Sequence, residues 1–208
     1  MAAALVGAAA TRLFRFDLEV DRSADVQEGW LWATHRLTFA SAVHTAARRF
    51  QSPDALRLLA QAVAFIHSGR GMDAPPERRL HVEPEPGTAD DPEDVAIAIV
   101  QRRPDAAVRL AAGCLAGEGS AALLRRTLEN LCLRDPLVRP IFLCHAVKTT
   151  VAAFDEYEAM SGHPLRSWPV LATVRFLASP VVERTVHRAV RTSIQWVAEG
   201  VVPKKLTQ

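Results

Sequence analysis

The sequence predicts an all-α protein, a bundle of seven to nine mostly antiparallel helices. Apolar residues recur with a helical period through nearly every segment. Proline, glycine and Ser/Asp cap residues stand where such helices should begin and end. No run alternates with the β-branched and aromatic bias of a strand, and only "RLFRFDLEV" carries enough aromatics to suggest extension.

The elements follow in order. "MAAALVGAAATRLFRF" reads as a first helix or packed arm. It lacks the positive start of a secretory signal and is too short before Arg12 to span a bilayer. Asp25 is positioned to cap a helix through "EGWLWATHRLTFASAVHTAARRF". "SPDALRLLAQAVAFIHSG" has Ser52 as N-cap, Pro53 at the first helical position, Asp54 in the first turn and Gly69 as terminator. Asp91 and Pro92 repeat that recipe. Pro104 or Asp105 opens the next helix, which Gly117 closes, and Ser120 opens another. Asp135 and Pro136 open a long segment that stops near Gly162. Ser167 precedes a helix through Leu177, and Ser179, Pro180 and Gly200 delimit the last. The exception is a long proline-rich loop at about 69–91, expected as a disordered surface stretch within one helical domain, 1–208.

Composition sets bounds. Hydrophobic residues make up 49% and charged residues 23% of 208, a globular balance. A formal net charge of +2, with Lys148, Lys204 and Lys205 the only lysines, argues against a nucleic-acid partner. No stretch has the length and apolarity of a membrane span. Cys114, Cys132 and Cys144 are odd in number and lack CxxC spacing, which argues against a disulfide framework. They fit a reducing cytoplasm, each as a small core residue. The four tryptophans read as core or interface anchors, and the arginine pairs as wet faces.

Successive helical residues lie about 100° apart, so each histidine can be assigned a side. His35 shares its side with Trp32, Phe39, Ala42 and Ala46, and is expected to face inward. His44 falls half a turn away and is expected to be wet. His67 lies with Leu56, Ala60 and Val63, again on an apolar stripe. His81 falls in the loop, His163 in a turn, and His187 on the flank of its stripe. His145 shares a side with Lys148, Thr149, Ala152, Asp155 and Glu156, on a helix apolar enough elsewhere to be central. A polar side on a central helix suits a water-filled pocket within the bundle. His35, His67 and His145 are then candidate ligands for a divalent metal, or a proton-transfer cluster. Asp155, Glu156 and Glu158 are expected to be solvated.

"THRLTFASAVHTAARRFQSPDALRLLAQAVAFI" and "HAVKTTVAAFDEYEAMSG" resemble segments of the questin-oxidase-like family, and of the helical domain joined to some bacterial Rieske-type proteins. The resemblance covers about a third of the chain. It implies a helical oxidoreductase acting on polyketide-derived aromatics, with His35, His145 and Lys148 as the positions of interest. Family chains are longer, and the Rieske CxH…CxxH pattern is absent, so no iron–sulfur cluster is implied.

Two functions follow as expectations. One is an oxidoreductase acting on a small, perhaps aromatic, substrate, with His35, His145 and Lys148 catalytic and the cofactor unspecified. The other is a non-catalytic helical module that joins a partner protein or a homo-oligomer.

Overall fold

Ten helices carry the chain: α1 (Ala2–Phe14), α2 (Leu18–Arg22), α3 (Gly29–Arg49), α4 (Pro53–His67), α5 (Pro92–Val100), α6 (Pro104–Ala116), α7 (Ser120–Leu133), α8 (Pro140–Ala159), α9 (Trp168–Ala178) and α10 (Arg184–Glu199). The computed structural model describes residues 1–22, 29–50, 52–79, 91–117, 119–134, 140–179 and 184–202, with residues 21, 22, 140 and 184–189 described as backbone. Among the described residues there is no strand, so the all-α class holds.

Among the described N-caps Asp91 bonds through its side chain, while Ser52 before α4 and Ser167 before α9 do not. The Asp91 carboxylate accepts the Glu93 backbone N–H at 3.0 Å, and Pro92 fills the first helical position. Ser52 is extended before Pro53 but gives α4 no side-chain cap bond. The expected starts at Asp25, Asp135 with Pro136, and Pro180 lie outside the described residues, as does His81.

"RLFRFDLEV" does not extend. α1 runs through Phe14, and Phe16 makes a single antiparallel bridge with Asp73. That bridge also corrects the reading of the proline-rich loop. Its first part folds into two 3₁₀ turns, Ser68–Met72 and Pro76–Arg78. They are tied back by ion pairs from Arg12 to Asp73 (2.5 Å) and from Arg78 to Asp17 (2.7 Å). Charged pairing gave order that composition alone did not reveal. Residues 80–90 lie outside the described set.

The central helix is α9, not α8. Every residue of α9 from Pro169 to Ala178 is buried, against α1, α5, α6 and α8. "PVLATVRFLA" has no polar face to leave in water; Thr173 returns its hydroxyl to the Pro169 carbonyl at 2.9 Å. A line of rings, Phe16–Trp30–Phe176–Phe142, runs through the core at centroid spacings of 4.5, 5.1 and 5.5 Å. α8 packs on α3, α7 and α9 but leaves Cys144, Val151, Asp155 and Glu158 exposed. Cys114 and Cys132 are buried, so Cys144 departs from the expected core placement.

α10 forms no extended packing with another described helix, and its stripe of Val190, Ile194 and Val197 is exposed. Trp30 is buried and Trp168 half-buried in the core, while Trp32 and Trp196 are exposed. Among the described residues no helix is long and apolar enough to cross a membrane.

Candidate functional site

The site forms where α3 meets α8. His35 Nε2 lies 2.8 Å from His145 Nε2. Further along, His44 Nδ1 lies 2.5 Å from a Glu156 carboxylate oxygen. Both contacts advance along both helices in the same sense, so α3 and α8 run parallel. His35 and His44 are nine residues apart, about 180° around α3. Both nevertheless reach α8, so α8 lies along the flank midway between them. On that flank Thr34 and Ser41 are buried, Thr38 is half-buried and Thr45 is exposed. The opposite flank belongs to α4, since Arg36 donates to the Phe65 carbonyl at 3.1 Å and to Ser68 Oγ at 3.2 Å.

This arrangement reverses two expectations. His44 is buried, 8% exposed, and His35 is exposed. The stripe of Trp32, Ala42 and Phe50 taken as inward is the outer face, with Trp32 54% exposed. The inward side of α3 is Trp30, Ala33, Leu37, Ala40 and His44. Glu156 is also buried rather than solvated, because it pairs with His44. Asp155 and Glu158 do reach solvent, where both bind Arg125.

His145 is 9% exposed, and its two ring nitrogens are engaged. Its Nδ1 is 2.7 Å from the Ile141 carbonyl, which can only accept, so Nδ1 carries the proton. When His145 is neutral its Nε2 accepts, and His35 Nε2–H donates. The tautomer of His35 follows: its lone pair is on Nδ1. Trp32, one turn before His35, is exposed, whereas Phe39, one turn after, packs edge-to-face on Phe65 of α4 at a centroid spacing of 5.7 Å.

Burial of its edge against His145 lowers the His35 pKa below the ordinary imidazole value, and the charges of Lys148, His145 and Arg36 act in the same direction. Burial also lowers the Lys148 pKa, with Cys144 opposing. Lys148 is half-buried and sits one turn beyond Cys144.

Three of the four predicted site residues thus share one neighbourhood: His35, His145 and Lys148. His67 does not join them. It is exposed and lines a groove between α1 and α4. Among the described residues no group of three or more His, Cys, Asp or Glu side chains gathers to hold a metal, so the His35/His67/His145 ligand set is not assembled. The error was to treat one apolar stripe as one interior. α4 presents Leu56, Ala60 and Val63 to the groove, not to the core. Sequence reading also missed the His44–Glu156 pair.

The fold and site define an all-helical protein with a hydrogen-bonded histidine pair beside an aromatic surface and a lysine. No protein-family model matches the chain, and no characterised protein or solved structure matches it.

Proposed function

We propose that the chain binds a small hydroxylated aromatic molecule against Trp32 and Phe39, and that His35 Nδ1 takes its phenolic proton. One observation carries the reading: the hydrogen-bond chain Ile141–His145–His35 engages His35 through Nε2, which leaves Nδ1 of an exposed ring as its second nitrogen. A base held neutral near pH 7 suits proton abstraction. Lys148 supplies a cation for the resulting phenolate. Removing the proton makes the ring electron-rich, the activation an aromatic oxidation needs. The oxidoreductase assignment itself rests on the resemblance to questin-oxidase-like proteins; the geometry supports the proton-transfer and binding parts.

The test is spectroscopic. A hydroxyanthraquinone changes colour on ionisation, so its phenolate can be read directly. Wild-type protein should ionise the bound dye at a pH where the free dye is neutral. His35→Ala should lose the ionisation, and Lys148→Met should weaken it. Dioxygen uptake by the bound phenolate then tests the oxidation. An unshifted dye, or one shifted equally by His35→Ala, would sink the reading.

The second reading is an interaction module. The exposed stripe Val190, Ile194 and Val197 of α10 favours it. Sedimentation over a concentration series separates the two, because association that Ile194→Asp abolishes belongs to this second reading.

A further inference from the structure

Between α1 and α4 lies a groove of about 820 Å³, within the range of small-molecule sites. Its α1 wall is Met1, Ala4, Leu5, Ala8, Thr11 and Arg12, one face of one helix. Its α4 wall is Leu56, Leu59, Ala60, Val63, Ile66 and His67, with Arg70 beyond. Alanines 4, 8 and 60 leave the room that larger side chains would fill. Arg12 and Arg70 lie close enough to influence one another, so both walls run from an apolar end to a cationic end. Eleven residues of α1 give it a length of roughly 16 Å.

The cationic end has an excess of charge. Asp73 is the carboxylate there, and it feels Arg12, Arg15, Arg79 and Arg70. It is already bonded to Arg12. Arg70 is exposed and forms no salt bridge among the described residues. The C-termini of α1 and α4 offset only about one charge between them. The Thr11 hydroxyl is occupied by the Gly7 carbonyl at 2.8 Å, which leaves Arg70 and His67 as the outward donors.

We infer that this groove binds a free long-chain carboxylic acid, its alkyl chain along Ala4, Ala8, Ala60 and Val63 and its carboxylate at Arg70 and His67. The charge decides the occupant. A basic helix such as α10, with Arg188 and Arg191, would bring like charge to the arginine end. A neutral lipid would leave the guanidinium unused. The groove lies on the α4 side of α3 and shares no residue with the His35 site, so the two proposals stand or fall separately.

Dodecanoate is the probe, titrated calorimetrically into the full chain below its micellar concentration, beside dodecanol and dodecyltrimethylammonium. The expected result is saturable one-to-one binding of dodecanoate, about tenfold or more weaker for the alcohol, and none for the ammonium. Arg70→Gln should weaken dodecanoate about tenfold and leave dodecanol unchanged. Ala8→Trp, at an exposed position on the groove floor, should abolish both. Circular dichroism reports whether that variant folds; if it does not, Val63→Asp on the exposed α4 wall carries the same test. Equal affinity for the three head groups, no effect of Arg70→Gln, or undiminished binding in the filled-groove variant overturns the inference. So does a dimer that Ala8→Trp converts to monomer, which assigns the groove to a second copy. Binding that is absent in the wild-type chain and appears in the Ile194→Asp variant assigns the groove to α10 and overturns the inference too.

Discussion

His145 Nδ1 is bonded to the carbonyl of Ile141, four residues before it, and this local bond sets which nitrogen of His35 is basic. A side chain on one helix thereby fixes the tautomer of a ring on another. Nitrogen-15 NMR should find His145 protonated at Nδ1 and His35 protonated at Nε2 when both are neutral. His145→Ala should raise the His35 titration toward its ordinary value, since the neighbour's shielding and charge are both removed. An unchanged titration would mean that the pair does not form in solution.

The same lowered value has a consequence for stability. An imidazole whose folded pKa lies below its unfolded one, near 6.5, stays neutral while the unfolded chain has already taken up a proton. Its contribution is therefore fully present above about pH 6.5 and declines as pH falls below it. Urea midpoints between pH 7 and 5 should fall, and His35→Ala should fall less steeply. A midpoint that rises on acidification contradicts the sign.

Glu156 and Asp155 are sequence neighbours with opposite fates. Glu156 is buried and bonded to His44, so Glu156→Ala should cost about 3 kcal/mol by stranding a buried polar group. Asp155 is exposed at the Arg125 cluster, and Asp155→Ala should cost about 0.5 kcal/mol or less. Replacing His44 and Glu156 together by leucine should recover most of the larger loss. Chemical denaturation of the three variants checks the ranking.

Gly69 lies under the side chain of Arg36, and a Cβ there would collide with the guanidinium stem. Gly69→Ala should displace Arg36 from the Phe65 carbonyl and Ser68, at about 1–3 kcal/mol. Gly71, with open space around its Cβ position, should accept alanine with little change. Thermal unfolding of the two variants gives the comparison.

Cys144 should react quickly with a thiol reagent in the native protein, while buried Cys114 and Cys132 react only on unfolding. Bound hydroxyanthraquinone should slow the Cys144 reaction, because Cys144 adjoins His145 and Lys148. Equal rates for all three thiols would contradict the described burial.

Much of the fold was legible because capping and period are local. Asp91 before Pro92 and Ser52 before Pro53 needed no knowledge of the rest of the chain. The site was less legible because burial is not local. On α3 the apolar Trp32 and Ala42 are exposed, while Arg36 and His44 are buried, since α4 and α8 approach from two sides with polar partners. A helix with three neighbours has no single interior side, and periodicity alone assumes one. The grouping of His35 with His145 and Lys148 came through resemblance and face, but the exclusion of His67 depended on α4 turning its stripe to a groove.

The two rings of the histidine pair lie 110 positions apart in sequence. Their meeting requires the intervening helices to have already found their places, and closing so large a loop is a late and slow event compared with forming any one helix. The pair is thus a clock for assembly: in refolding followed by far-ultraviolet dichroism and by the His35 proton resonance, helicity should return first and the shifted imidazole last. A chain caught between those two events would have nearly all of its helices and no base.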